Sequence, residues 1–440
     1  MSPIVFTTAH RPEQKVSLTH DSGVKSVFHL IYFNIMQFSK NHIIMAVLMP
    51  FSFFTQTKKE FSNYPKGLKI NQIQVLGTHN SYAKPVDPKV LKMASDIFNQ
   101  YKGSFLDKMP ADEKAKFQEY HPNGMDFTEA LNYNHPDFDE QLNAGLRNLE
   151  IDVYYDPTGN RFTKPASYEL LKKQGITDLY PFSTDGMDQP GFKVLHIADI
   201  DFRTHYTTLK KALTALKTWS DAHPKHIPVY IQIEAKDMAI PIFPNSSQVL
   251  PFDSKAYEDL DQEILSILGR QKIITPDDVK GNYKSLNQAV LHQNWPTVNA
   301  SLGKFIFVLL PGSAGMKSGE SAYLEGHPQL EGRMMFLQSE PGKDYAAFLL
   351  YDNAIVRQNE IRKAVKEGYL VRSRSDIETY EAKVNNPARK EAAFRSGAQI
   401  ISTDFFRPGN TYGTPYFVEL PGGETARCNP INAPADCKVK

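Results

Sequence analysis

The chain has 440 residues, 22% charged and 41% apolar, which is long for one domain but within the range of a single α/β barrel. Lys and Arg number 50 against 49 Asp and Glu, so no global field favours nucleic acid, and an anionic ligand must be held by local geometry. Residues 1–65 show no clear periodicity and read as an N-terminal extension. Within it, Ile43 to Phe54 form an apolar run broken by Pro50 and Ser52, too short to span a bilayer as an ordinary helix. With Lys40 and His42 before it, the run has the make-up of a signal-peptide core, and Met36 then stands where translation would start. The other reading is a buried or interfacial segment. A secreted or periplasmic monomer with no transmembrane anchor is expected.

From residue 70 a rhythm of short β-rich runs and longer helical patterns begins. The expected strands are Ile73–Leu76, Leu149–Val153, Lys193–Leu195, Ile227–Ile233, Lys304–Leu310, Arg333–Leu337, Tyr369–Val371 and Ala398–Ser402. Between the third and fourth, Leu209, Ala212, Leu213, Leu216 and Trp219 fall on one helical face, and His223-Pro224 ends the helix. Further helices are expected at Asp137–Ala144, Ala256–Leu268, Asn353–Glu367 and Pro387–Ser396, with Gly397 as a C-cap. Eight strands alternating with helices predict a (β/α)8 TIM barrel over 66–440; periodicity alone does not separate it from an open sheet. Insertions at 85–134 and 240–253 follow strand ends on the face where barrels carry their sites, and read equally as a flap or as solvated padding. Near the C-terminus, Cys428 and Cys437 flank a short run with two prolines, which suits a local disulfide and an oxidising compartment; two free thiols are the alternative.

Polar residues gather at the strand ends. The first strand runs into Gly77-Thr78-His79-Asn80-Ser81-Tyr82, where a histidine suits proton transfer and the amide suits an oxygen ligand. Glu150 and Asp152, two apart on the second strand, point the same way and repel unless a cation or proton lies between them. The third strand ends at His196 and the fourth at Glu234. Singly, each reads as structural. Together they offer oxygens from Asn80, Glu150, Asp152 and Glu234 to a hard cation, with no thiolate, which fits Ca²⁺ or Mg²⁺ better than Zn²⁺.

This set resembles the catalytic half of the calcium-dependent phosphoinositide phospholipases C. The bacterial branch is resembled further in Leu142-Asn143-Ala144-Gly145-Leu146-Arg147, Trp219-Ser220-Asp221-Ala222-His223-Pro224, Leu420-Pro421-Gly422-Gly423 and the Cys428-Asn429-Pro430…Cys437 end, over roughly residues 68–437. The resemblance implies a barrel of the phospholipase-C-like phosphodiesterase type. It implies His79 and His196 as catalytic residues, and Asn80, Glu150, Asp152 and Glu234 as Ca²⁺ ligands. The implied reaction cleaves phosphatidylinositol at a membrane surface to diacylglycerol and a cyclic inositol phosphate. The related metal-independent enzymes set an Arg by the site in place of the cation; no Arg lies within Glu150-Ile151-Asp152, so unpaired carboxylates would call for a metal.

One departure concerns the phosphate. The mammalian pattern brings lysines from the end of strand five, yet here Lys304 stands at that strand's start. Lys236, or Arg372 and Arg374 after strand seven, would then meet the anion, with Asp404 orienting one of them or a histidine; an ion-pair cluster is the plainer reading of the last three. Two rivals remain: a glycerophosphodiester phosphodiesterase, which usually follows strand one with His-Arg-Gly where this chain has His79-Asn80-Ser81, and a non-catalytic barrel binding inositol lipid or glycan.

Overall fold

The apolar runs become strands, and their directions decide the architecture. The computed structural model describes residues 64–108, 110–121, 123–124, 126–312 and 316–438, so the expected signal core at 43–54 lies outside the described residues. In chain order the described strands are β1 (Ile73–Thr78), β2 (Asn148–Asp156), β3 (Gly191–Val194), β4 (Val229–Ala235), β5 (Ile273–Ile274), β6 (Phe305–Leu310), β7 (Met335–Leu337), β8 (Phe348–Asn353), β9 (Leu370–Arg374), β10 (Ile400–Thr403) and β11 (Ala426–Cys428). Eight of them, β1, β2, β4, β6, β7, β8, β9 and β10, pair in that order in parallel. A parallel bridge between Gln338 and Phe348 joins β7 to β8 and closes the ring. The protein is a (β/α)8 barrel. Its staves are continuous apolar runs such as Phe305–Leu310, buried throughout, because helices cover a parallel sheet from outside.

Two strand expectations need correction. The expected third stave runs antiparallel to β2, pairing Val153 with Val194 and Asp156 with Gly191, so it is a hairpin arm that leaves the barrel. The missing stave is β8, whose end falls where a helix from Asn353 was expected; the helix starts only at Gln358. Direction is a long-range property that local alternation does not encode. The amphipathic helix Leu209–Ala222 forms as expected, capped by the Thr208 hydroxyl, and Gly397 ends Ala388–Ser396 at a φ of 84°.

The insertion at 85–134 is no solvated padding. It folds into helices Pro88–Lys108, Ala111–Tyr120 and Phe127–Ala130. Val90, Ala94, Phe127 and Leu131 join Tyr154, Phe162 and Leu195 in a second apolar cluster beside the main core. Glu119 accepts from Arg357 Nε at 2.6 Å, and His121 pairs with Glu378, so the insertion is clasped to loops following β8 and β9. At the other end, β11 lies antiparallel to β1, and Cys428 is disulfide-bonded to Cys437. Among the described residues no helix is long and apolar enough to cross a membrane.

Gly77 sets how closely the first two staves approach. A Cβ there would lie 2.2 Å from the Asn148 carbonyl oxygen and 2.3 Å from the Asn148 Cβ, both held by backbone. Gly77→Ala should therefore cost about 1–3 kcal/mol in urea unfolding, the usual penalty of overpacking.

Candidate active site

The turn after β1 is built to aim two side chains. Asn80 adopts a φ of 45°, a conformation that asparagine tolerates better than most residues. Its Nδ2 donates to the Tyr133 hydroxyl at 2.5 Å, while its Oδ1 is buried with no hydrogen-bond partner. The Ser81 hydroxyl accepts from the Glu150 N–H at 2.8 Å, which locks this turn to β2. His135 Nε2 lies 2.9 Å from the His79 carbonyl oxygen and steadies the turn from above.

On β2 and β4 the parallel register places Asp152 beside Glu234 and Glu150 beside Gln232. Paired residues face the same way, and residues two apart share a face, so all three carboxylates meet inside the mouth. Each offers an oxygen, and these oxygens lie within 4.8 Å of one another. Burial first, then the neighbouring carboxylates, pushes Asp152 well above its ordinary range against the pull of Lys236. Burial also raises Glu150, to about 7, against the Arg372 guanidinium. Burial pushes Glu234 the same way, but Lys236 outweighs it and holds this carboxyl below its usual value.

The carboxylates are not unpaired, contrary to the sequence-based expectation. Arg372 Nη2 donates to Glu150 at 2.9 Å, and its Nη1 donates to Asp352 on β8. Lys236 Nζ lies 2.8 Å from Glu234 and 3.2 Å from Asp152. Arg374 Nη2 donates to Asp404 at 3.0 Å. Both arginines lie within β9, not after it, and Arg372 is 2% exposed, spent on carboxylates rather than presented to a substrate phosphate. With every group ionised, four carboxylates (Glu150, Asp152, Glu234, Asp352) face two cations (Arg372, Lys236), leaving two negative charges uncompensated. An all-oxygen set with that residual charge fits a divalent hard cation.

Two histidines flank the cluster. His79 Nδ1 lies 3.1 Å from Asp404 Oδ1, and His196 Nδ1 lies 2.9 Å from Asp201 Oδ2. Their rings stand 6.4 Å apart at 80°. With Nδ1 engaged in each, Nε2 is the nitrogen left for a ligand. Burial and the Arg374 charge lower His79 to about 4, opposed by Asp404. Burial alone would raise Asp404, yet His79, His135 and Arg374 hold it far below the ordinary carboxylate range. His196 follows the antiparallel β3, and the turn around Asp199 and Asp201 brings it back over the mouth.

Asp201, Asp352, Tyr133 and His135 were not singled out from the sequence. Asp201 stood five residues after His196, a weak local signal; the others reach the mouth only through tertiary folding. A 430 Å³ cavity lined by Asp352, Tyr351, Asn353 and Glu119 adjoins this mouth, while a larger one of 900 Å³ lies on the flank against Lys210 and Glu263.

Barrels that assemble oxygen ligands and imidazoles at the C-terminal mouth are suited to metal-assisted phosphodiester cleavage. The profile of one family, phosphoinositide phospholipase C, Ca²⁺-dependent, matches residues 68–430. The chain belongs to that family and is a phosphodiesterase that depends on calcium. Among solved structures, a calcium-dependent phosphoinositol-specific phospholipase C from a Pseudomonas species is 16% identical, covering 82% of this chain and 96% of that one at a TM-score of 0.46. A Ca²⁺-dependent phosphatidylinositol-specific enzyme from Streptomyces antibioticus is 16% identical, covering 77% and 95% at 0.46. PLC21 of L. pealei is 10% identical and covers 77% and 34% at 0.34. A comparison with curated sequences gives no significant match.

Behind Asp404, the buried Asp376 accepts from the Asp404 N–H at 2.8 Å and from the Thr403 hydroxyl at 2.6 Å. Burial, then the Asp404 charge, pushes its carboxyl up to about 7. Unfolded, it would ionise near pH ~4, so its contribution to stability is complete below that and lost as pH rises towards about 7. Urea midpoints of Asp376→Asn should accordingly fall less steeply than wild type between about pH 4 and pH 7.

Proposed function

We propose that His79 and His196 carry the proton chemistry of phosphatidylinositol cleavage, with Asn80, Glu150, Asp152 and Glu234 as the calcium ligands. The observation that carries this reading is the cluster of three carboxylates flanked by two carboxylate-held imidazoles, with the buried Asn80 Oδ1 left unpartnered at the end of β1. Bound there, Ca²⁺ would acidify the inositol 2-hydroxyl and offset charge on the phosphoryl oxygens. The 2-hydroxyl oxygen bonds to phosphorus and gives its proton to a carboxylate. Glu234, with a third of its side chain exposed, reaches that proton better than Glu150, buried against Arg372. The phosphorus–oxygen bond to glycerol then breaks, and His196 Nε2 supplies the proton that releases diacylglycerol. His79 stands for a phosphoryl oxygen. An anionic phosphate beside the ring would oppose the burial and Arg374 charge that lower His79, and so favour its donating a hydrogen bond there. Asp404 and Asp201 orient the two rings. His79→Ala and His196→Ala should each lower turnover by roughly 10²-fold or more with an unchanged unfolding midpoint. Chelation should abolish turnover, and activity that survives it would refute the calcium role.

The substrate is met at a membrane surface, and the rim supports this. Met238 and Ile240 after β4, Ile355 and Val356 after β8, and Val384 beyond β9 are large apolar side chains left exposed by 37% to 58%. Such residues on the face of the site suit shallow insertion among headgroups. Replacing Ile355 and Val356 together by Ser should cut activity on phosphatidylinositol vesicles several-fold and leave cleavage of a short-chain soluble analogue unchanged. The Cys428–Cys437 disulfide further supports export to an oxidising compartment.

A further inference from the structure

Lys236 holds an unusual place at the mouth. Its backbone N–H donates to the Val153 carbonyl at 2.9 Å, which fixes its Cα at the end of the β2–β4 ladder. Its ammonium lies between two of the three clustered carboxylates, 2.8 Å from Glu234 Oε1 and 3.2 Å from Asp152 Oδ2. A divalent cation shared by those oxygens would lie about 2.3–2.6 Å from them and leave no room for an ammonium on the same face. Arg372 differs: it is buried and clamped between Glu150 and Asp352, whereas the Lys236 side chain is 19% exposed on a flexible four-carbon stem.

We propose that Lys236 is a built-in counter-cation, holding Asp152 and Glu234 together in the calcium-free enzyme and giving up that place when the ion binds. The displaced ammonium is repelled by the divalent charge and turns to the mouth, where the substrate phosphodiester is the anion available to it. Lys236 thus couples ion binding to phosphate recognition: the phosphate-contacting cation becomes free only once the metal site is filled. The proposal rests on the ligand set given above.

The test is calcium calorimetry on wild type and Lys236→Met, with thermal midpoints in chelator. Removing the competitor should tighten calcium binding by about tenfold, equivalent to roughly 1.4 kcal/mol. The midpoint in chelator should fall, since Asp152 and Glu234 then lack their counter-charge, and calcium should restore it. An unchanged affinity would show that the ammonium does not compete; a weaker one would show that Lys236 organises the ligands instead. Either result overturns the proposal while leaving the metal site standing. If wild type binds no calcium, the ligand assignment fails as well. Should Lys236→Met not fold, wild type supplies a second readout. Amine acylation mapped by mass spectrometry should label Lys236 several-fold faster with calcium than with chelator. Equal labelling in a protein that binds calcium overturns the proposal too.

Discussion

The mouth of this barrel is organised by the repulsion of like charges that a hydrogen-bonded ladder forces together. Asp152 and Glu234 are register partners on adjacent staves, and Glu150 lies one pleat below. Backbone bonding leaves them no way to separate. At their spacing in a partly buried site, each pair repels by roughly 3 kcal/mol. Neighbouring groups answer that cost. Arg372 arrives from β9 for Glu150, Lys236 folds over from the end of β4, and the Asn80 oxygen is kept bare. The protein neutralises half of the charge with its own cations, and the remainder suits a divalent cation.

A second ring of interactions sets the histidines without sharing groups with the first. Asp404 is held by Arg374 and by Asp376 from behind, and Asp201 comes from the turn beyond β3. The two imidazoles are therefore supported from opposite sides of the barrel, by β9–β10 and by the β3 excursion. The carboxylate cluster between them feels both rings, since the two imidazoles help to hold Glu234 below its usual value.

Residues whose placement follows from local rules were legible in the sequence. Period two put Glu150 and Asp152 on one face, and the polar ends of β1 and β4 marked His79, Asn80 and Glu234 as mouth residues, where the structure gathers them. What local pattern could not carry was direction and distance. Lys193–Leu195 alternates like a stave but runs antiparallel, and its histidine reaches the mouth by a route that its sequence position did not suggest. The stave Phe348–Asn353 was hidden by its polar end, Asp352-Asn353, which merges into the following helix. Arg372 looked like a ligand contact because its partners, Glu150 and Asp352, lie far away in sequence. Tyr133 and His135 come from the edge of an insertion whose own apolar cluster holds it against the β2–β3 side.

The position of β1 bears on when this molecule can first exist as an enzyme. β1 pairs with β10 along one edge, and its other edge meets β11 and β2. The first stave to leave the ribosome is thus completed by two of the last segments to be made. Until residues 426–428 emerge, Ile73–Val75 lack their partner along that edge, while the end of β1 that leads to the His79–Asn80 turn waits on β10. Completion of the strand that carries this turn consequently depends on contacts of very long sequence separation.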